Sequence, residues 1–442
     1  MHRWNTRRLF RAERARLARC VISGVLGGAA ITAPLACQKA SPDEVVRSSA
    51  SSGATTGVGP GTGTGTGVGT GASTGTMMNQ PFTKAALLEA VADCTIDRYR
   101  DFQTHAQSLR DASSAYAANR SEANAAANRD AWIAAMASWE EAEVFRYGPA
   151  ARVPEPGAQD LRDHIYAWPL VSRCKIEEQI VSQAHATPGF PQTLINGRSM
   201  TAFEYLLFYG GTDNACSQFS EINADGTWAA LSADALAQRK AEYAAAVASD
   251  VLARANTLVQ AWEPAGGNFR DQVALAGAGS ATYPLDQDAL NAVSDAMFYV
   301  EKELKDFKLG KPLGLIECPT PTCPQAVESP YARISTAHMG ANLAGFRRLF
   351  QGCESFGTGL GFDDWLRAVG AGDLADRMLD ALAGAQAAVD ALSPPMEEAI
   401  VSDPAKVMVV HAAVKKLTDL LKTEFITVLN LELPKSAQGD ND

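Results

Sequence analysis

The segment LAQRKAEYAAAVASDVLARANTLVQAW, residues 236–262, decides the fold class. Its large apolar residues fall four or seven positions apart, with charged and small residues between them: Leu236, Tyr243, Val247, Val251, Leu258 and Trp262. This spacing places them on one face of an α-helix, where they can pack against a core. The segment therefore predicts a long amphipathic helix of the kind that builds helical bundles.

The helical pattern extends from Pro81 to about Pro434, without a convincing β-hairpin signal. Further helices are predicted at about 82–117, 121–147, 159–185, 197–209, 287–307, 330–350 and 372–392. A last helix, with Asp403 as N-cap and Pro404 in the first turn, carries the stripe Val407, Val410, Val414, Leu417, Leu421, Phe425 and Val428. The predicted fold is all-α, with two bundles of the four-helix type.

A polar segment in mid-chain, YGGTDNACSQFSEINADGTW, interrupts the helical pattern near residue 222. We therefore predict an N-terminal bundle over residues 80–222 and a C-terminal bundle over residues 223–436. A short tail, residues 437–442, follows them.

The first 37 residues have the features of an export signal. Seven arginines and one glutamate in residues 1–20 precede the uncharged stretch VISGVLGGAAITAPLAC. Its end, PLAC, resembles a bacterial lipobox, which predicts lipidation of Cys37 and a membrane anchor. A soluble exported protein cut nearby is the alternative, and TRRLFR also resembles a twin-arginine signal.

A Gly/Thr/Ser-rich stretch, residues 38–79, follows the signal. It has almost no large apolar residues, so it cannot bury enough surface to offset its chain entropy, and a disordered tether is expected. A tether of this kind suits a lipid-anchored protein that stands off a membrane.

Charge and cysteine content agree with export to a bacterial envelope. Loss of the signal removes seven arginines and one glutamate and takes the net charge from -11 to -17. Such an acidic chain does not suit nucleic acid as a partner.

Six cysteines remain after loss of the signal, and in an oxidising compartment they predict three disulfides. We favour Cys174–Cys216 and Cys318–Cys323, which leaves Cys94–Cys353. Fifteen pairings are possible in principle.

The helix SMTAFEYLLFYGG, residues 199–211, contains a single carboxylate, Glu204, in an apolar setting. Thr201 shares its face one turn earlier. Glu140 and Glu143 share a face of the helix WIAAMASWEEAEVFRYGP, residues 132–149, and Asp163 and His164 lie in LRDHIYAWPL, residues 161–170.

In this order, these segments resemble the imelysin family of bacterial envelope proteins. That family has an aromatic-rich helix ending in Phe/Tyr-Gly-Pro, a Trp-Pro segment, and a helix of the type Gly-x-His-x-x-Glu. The segments ELKDFKLGKPLG, VESPYARIS, ANLAGFRRLFQG and GFDDWLRAVG resemble its C-terminal half. The resemblance implies an all-α fold, a link to iron or metal acquisition, and a classification as a metallopeptidase based on the motif His and Glu.

This chain departs from the family motif, since Ser199 and Thr201 stand where the family has Gly and His. A threonine cannot replace an imidazole as a transition-metal ligand, so a metal-activated water is hard to build there. We therefore expect no catalytic residue at this motif.

The candidate metal or ligand residues are Glu204, Thr201, Asp163, Glu143, Glu140 and His164. A cluster of the carboxylates would suit calcium or iron. The alternative is a solvated charged face with a contact from Glu143 to Arg146 or to Tyr147. His338 is expected to be a packing or surface residue.

Three functions follow from these observations. The first is a non-catalytic envelope protein that binds a small ligand or metal between the bundles. The second is a metallopeptidase whose missing histidine comes from elsewhere, such as His164. The third is a scaffold in which Glu204 bonds across to the other bundle or to Arg162.

Overall fold

A computed structural model of the chain describes residues 82–353 and 359–438. The predicted export signal, the lipidation site Cys37, the tether and the end of the tail from residue 439 lie outside the described residues. All the described residues belong to one compact unit.

Helices make up the architecture, and the described residues contain no strand. The first half contains α1 (Lys84–Ala118), α2 (Glu122–Ala142), α3 (Leu161–Ile165), α4 (Arg173–Ser182), α5 (Met200–Phe208) and α6 (Glu221–Ala224). The second contains α7 (Ala233–Trp262), α8 (Phe269–Ala274), α9 (Asp286–Met297), α10 (Ser335–Gln351), α11 (Phe362–Ala368), α12 (Gly372–Asp390), α13 (Met396–Ser402), α14 (Pro404–Leu420) and α15 (Ile426–Leu429). Two π-helical segments, Val300–Gly310 and Leu421–Phe425, follow α9 and α14. The all-α prediction is confirmed.

The amphipathic stripe predicted on α7 is buried at every position. The stripe positions of the last helix from Val407 to Phe425 are buried, but the last of them, Val428, is exposed. The π-helical turn at Leu421–Phe425 has more residues per turn than an α-helix, so it rotates the residues after it out of the stripe. Asp403 holds the N-cap position, as predicted, but its side chain makes no capping hydrogen bond.

Two predicted helices are wrong in their extent. The helix predicted over 159–185 is divided into α3 and α4, because Pro169 lacks an amide hydrogen and disfavours helical geometry at Trp168. The helix predicted over 121–147 ends at Ala142, and the chain then turns at Gly148. Gly148 has φ of +58°, and a Cβ there would lie 2.1 Å from the ring of Phe269, so this turn requires glycine.

Two packing contacts between helices position the residues at the centre of the molecule. The long helices α1, α2 and α7 pack together, and α10 crosses α2. At this crossing a Cβ on Gly345 would lie 2.4 Å from the carbonyl oxygen of Glu141, so only glycine allows the two backbones to approach so closely. The division near residue 222 stays a prediction, although α7, which follows it, packs along α1.

All three predicted disulfides are present, with the predicted pairing. Cys94–Cys353 joins α1 to the end of α10, Cys174–Cys216 joins α4 to the mid-chain loop, and Cys318–Cys323 closes a short loop. Across the two described ranges, none of the helices has the length and apolar character needed to cross a membrane.

Candidate functional site

The motif helix α5 begins at an unusual backbone position. Ser199 has φ of +97°, a conformation that favours glycine, and it occupies the place where the imelysin motif has glycine. Its hydroxyl accepts a hydrogen bond from the backbone N–H of Ala167 at 3.2 Å. The side chain therefore gives the Trp-Pro segment a contact that glycine could not provide.

Glu204 is buried, with 3% of its surface exposed, and it reaches the other half of the chain. Its Oε1 accepts three hydrogen bonds: from the hydroxyl of Ser329 at 2.9 Å, the N–H of Tyr331 at 2.9 Å and the N–H of Ala332 at 2.8 Å. Burial nevertheless outweighs these bonds and raises the pKa of Glu204 to about 7. None of the described residues donates to Oε2.

Glu140 and Glu143 lie at the centre of the molecule around a buried lysine. Lys308, from the π-helical segment Val300–Gly310, places its Nζ 2.5 Å from Oε2 of Glu140, 3.4 Å from Oε1 of Glu143 and 2.7 Å from Oε1 of Glu328. It also donates to Oδ1 of Asn342 at 2.8 Å. We call these five side chains the lysine cluster, and all of them are buried.

The lysine cluster shifts the pKa values of its members in different directions, and burial together with Glu140 raises the pKa of Glu143. Burial lowers the pKa of Lys308, but Glu140 and Glu328 outweigh this effect and the pKa is raised well above its ordinary value. Burial likewise raises the pKa of Glu328, but Lys308 and His338 bring it down to about 2. The predicted carboxylate pair therefore binds a cation, and that cation is part of the protein.

Asp163 joins this network from one side. Arg162 bridges it to Glu143, with 3.0 Å to Oδ1 of Asp163 and 3.0 Å to Oε2 of Glu143, and Arg152 binds Oδ2 at 2.5 Å. Burial raises the pKa of Asp163, but the bonds from both arginines outweigh it and the pKa is lowered. The contact considered between Glu143 and Arg146 does not form, because Arg146 pairs with Glu303 instead.

His164 was considered as a replacement for the motif histidine beside Glu204, but it lies beside Arg198. Its Nδ1 is 2.9 Å from Nη2 of Arg198, which also forms a buried ion pair with Asp250 of α7 at 2.5 Å. Burial and the neighbouring Arg198 lower the pKa of His164. Glu204 accepts its hydrogen bonds from Ser329, Tyr331 and Ala332, and the histidine whose charge acts on it is His338, so His164 does not replace the missing motif histidine.

The sequence model of the imelysin peptidase family matches residues 95–423. The chain belongs to the imelysin family. The iron-regulated protein A of Synechococcus elongatus is 24% identical over 343 residues, which cover 77% of this imelysin and 85% of that relative.

Two solved structures have the same fold as this imelysin. One is an imelysin-like protein from Psychrobacter arcticum 273-4, with a TM-score of 0.59, 17% identity, and coverage of 79% of this chain and 96% of that one. The other is a putative iron-regulated protein A precursor from Parabacteroides distasonis, with a TM-score of 0.59, 17% identity, and coverage of 78% and 95%.

The motif helix of this imelysin does not fit a metal centre. Thr201 is buried, and its hydroxyl lies 3.5 Å from that of Ser199. A threonine side chain contains no nitrogen that could bind a metal ion. Within the described ranges, Glu204 belongs to no group of three His, Cys, Asp or Glu ligand atoms close enough to share an ion. A metal held by the motif itself is therefore not supported by the residues present.

A cavity of about 300 Å³ opens beside the motif helix, and we call it the motif cavity. Both halves of the imelysin fold contribute to it. Its walls include Trp168, Thr201, Glu204, Tyr205, Phe307, Lys311, Glu328 and Tyr331. Aromatic walls with a few converging polar groups are typical of sites for small ligands.

Sequence reasoning missed Lys308, Glu328 and Asn342 as site residues. His338, expected to be a packing or surface residue, is 2% exposed; its ring lies near that of Trp132, and it also faces Glu140 and Glu328. The missed residues lie within ELKDFKLGKPLG, VESPYARIS and ANLAGFRRLFQG. These segments carried the family resemblance, and their polar residues were the available signal.

Proposed function

We propose that this imelysin is a non-catalytic binding protein of the bacterial envelope that takes a small ligand in the motif cavity and is associated with iron or metal acquisition. The observation that carries the proposal is the position of Glu204. Its Oε1 accepts three hydrogen bonds from Ser329, Tyr331 and Ala332, and the residue forms part of the cavity wall. A buried carboxylate held in this way presents its second oxygen in a fixed orientation.

The chemistry of the motif favours binding over catalysis. A metallopeptidase needs a metal ion with an open coordination position to activate water. Thr201 supplies no nitrogen ligand for such an ion, and Oε1 of Glu204 already accepts hydrogen bonds from three donors. The arrangement instead suits a ligand group that forms a hydrogen bond with Oε2 of Glu204.

The cavity walls indicate the class of ligand. Because burial raises the pKa of Glu204 to about 7, its carboxyl group can donate or accept a hydrogen bond near neutral pH. Trp168, Phe307 and Tyr331 provide aromatic surface, and Lys311, whose Nζ pairs with Glu317 at 3.1 Å, provides a cation that an acidic group can share. We expect a small organic molecule with a polar end toward Glu204 and an acidic end toward Lys311.

The envelope location and the link to metals rest on the relatives and on the N-terminal sequence. The Synechococcus relative is named for iron regulation, and the Parabacteroides structure is titled a precursor. An export signal with a lipid on Cys37 would anchor the protein to a membrane. The protein would then bind the ligand or the metal in the periplasm.

Thermal unfolding in the presence of citrate and the common amino acids tests this function. A compound that binds only the folded state raises the melting temperature with its concentration. We expect at least one of these compounds to do so, and Ala326→Trp, which fills the motif cavity, to abolish the shift. Ala229→Trp, at an exposed residue of a different groove, is the matched control.

Two results would overturn the proposed function. One is the absence of a shift with every compound, or shifts that Ala326→Trp leaves unchanged. The other is metal-dependent cleavage of a peptide that Glu204→Gln abolishes, which would establish a peptidase.

A further inference from the structure

Two of the three carboxylates that bind Lys308, those of Glu140 and Glu328, are each satisfied on one oxygen only. Oε2 of Glu140 accepts from Lys308 at 2.5 Å and from Asn342 at 2.9 Å. Oε1 of Glu328 accepts from Lys308 at 2.7 Å and from the hydroxyl of Tyr166 at 2.7 Å. Among the described residues, no donor makes a hydrogen bond to the other two oxygens, Oε1 of Glu140 and Oε2 of Glu328.

Both of these remaining oxygens face the same imidazole. Nδ1 of His338 lies 3.5 Å from Oε1 of Glu140 and 3.2 Å from Oε2 of Glu328. These are ion-pairing distances, but neither contact has hydrogen-bond geometry, and Nε2 also makes no hydrogen bond within the described part of the chain. Buried polar atoms in folded proteins usually have partners, so three converging exceptions at one point indicate a ligand.

From these contacts we propose that Oε1 of Glu140, Oε2 of Glu328 and Nδ1 of His338 form a binding site for one divalent first-row transition-metal ion. The three ligand atoms lie within 4.8 Å of one another, and the three side chains are buried. They come from α2, from the segment before α10, and from α10 itself. The site is separate from the motif residues Thr201 and Glu204.

The distances between the ligand atoms suit such an ion. Metal bonds of about 2.0–2.2 Å place neighbouring ligands about 2.8–3.1 Å apart in octahedral geometry and about 3.3–3.6 Å apart in tetrahedral geometry. The distance of 3.5 Å from Nδ1 to Oε1 of Glu140 falls within the tetrahedral range, and the distance of 3.2 Å to Oε2 of Glu328 lies between the two ranges. One nitrogen and two carboxylate oxygens favour Zn²⁺, Fe²⁺ or Mn²⁺, whereas the imidazole disfavours Ca²⁺.

The charges around the site favour a cation. Three carboxyl groups, Glu140, Glu143 and Glu328, surround two cations, Lys308 and Arg162, so the carboxyl groups outnumber the cations by one. Asp163 and Arg152 cancel each other. A metal ion bound there would take the lone pair of Nδ1 in place of the proton that the neighbouring Glu140 and Glu328 favour on His338.

Lys308 acts here as a positioning residue. By binding Oε2 of Glu140 and Oε1 of Glu328, it turns the opposite oxygens toward His338 and makes each carboxylate a monodentate ligand. Glu328 also forms part of the wall of the motif cavity, so the proposed site lies beside that cavity.

Metal binding to the purified full chain tests the site. The protein is stripped with a chelator, dialysed against Zn²⁺, Fe²⁺ under anaerobic conditions or Mn²⁺, and analysed for bound metal; Co²⁺ absorption reports the geometry. We expect one ion per chain for wild type, and a loss of affinity of at least tenfold in His338→Gln and in Glu328→Gln. His185→Gln, at another buried histidine, is the matched control and should bind like wild type.

Circular dichroism of each variant shows whether it is folded, and Glu140→Gln replaces any variant that is not. Folded wild type that binds none of the metals would overturn the site, and the three side chains would then form a proton-bridged ion pair. Unchanged binding in both folded ligand variants would also overturn it, since the metal would then lie elsewhere.

Discussion

Nζ of Lys308 lies 2.5 Å from Oε2 of Glu140, and this contact joins the π-helical segment Val300–Gly310 to α2 across 168 residues of sequence. A buried ion pair contributes little net stability compared with apolar packing, because both ions lose their hydration. Removing only one of the two ions is costly, because the remaining charge then stays buried without its partner.

Lys308→Met should therefore be strongly destabilising. It leaves Glu140 and Glu328 without their cation in the core, and we expect a loss of about 3–5 kcal/mol in the free energy of unfolding. Denaturant unfolding of wild type and variant measures it. Lys416→Met, at an exposed lysine of α14, should change the free energy of unfolding by no more than about 0.5 kcal/mol.

A second substitution separates charge from packing in this prediction. Glu140→Gln removes one buried negative charge, so the double variant Lys308→Met/Glu140→Gln should be more stable than Lys308→Met alone. If the double variant is less stable than Lys308→Met, the charge account of the lysine cluster is wrong.

The pH dependence of stability should reveal Glu204. Burial raises its pKa from 4.5 to about 7 despite the bonds from Ala332, Ser329 and Tyr331. A carboxyl group with a raised pKa binds more protons in the folded state, so its contribution is present below the unfolded pKa and is lost as the pH rises toward 7. Relative to Glu204→Gln, wild type should lose about 2–3 kcal/mol across this interval.

Urea unfolding of both proteins between pH 4.5 and pH 7 measures this difference, since other titrating groups are common to both. Parallel pH profiles for wild type and Glu204→Gln would show that Glu204 is not buried as described. The same experiment addresses the scaffold hypothesis, which predicts that Glu204→Gln changes stability without changing ligand binding.

Gly345 should be essential to the close approach of α10 and α2. Its added Cβ in Gly345→Ala would lie 2.4 Å from the carbonyl oxygen of Glu141, so the helices must separate, at a cost of about 1–3 kcal/mol. This separation would also move His338 and Asn342 away from Glu140. Gly384→Ala on α12 is the matched control, because open space surrounds that glycine and alanine should stabilise the helix by about 0.5–1 kcal/mol. Equal effects at both positions would contradict the packing described here.

Ser199 should tolerate glycine better than alanine. Ser199→Ala keeps a side chain at φ of +97° and loses the hydrogen bond from Ala167, so we expect a loss of about 1–2 kcal/mol. Ser199→Gly loses the same bond but relieves the backbone, so it should be close to neutral. Thermal melts of the two variants compare them directly, and a less stable Ser199→Gly would contradict the backbone argument.

The fold was predictable because helical periodicity is a local property of the sequence. The stripe on α7 and the disulfide pairing are as predicted, and the errors lie where Pro169, the turn at Gly148 and the π-helical turn at Leu421–Phe425 interrupt the regular period. The candidate site was predictable only in part. Glu140 and Glu143 could be assigned to one helix face, but no local pattern places Lys308 between them.

The same limit applies to Glu204. Its burial followed from the apolar residues around it, but its three donors lie more than a hundred residues away, in the segment before α10. The sequence could not distinguish a metal ligand from a hydrogen-bonded carboxylate, because both require burial and both place one acid on an apolar helix.

Anomalous diffraction from crystals of the Zn²⁺-loaded protein tests most directly whether metal chemistry lies outside the family motif. The account predicts one anomalous peak about 2.0–2.2 Å from Nδ1 of His338, in contact with Glu140 and Glu328. A peak beside Glu204 and Thr201, with none at His338, would contradict it.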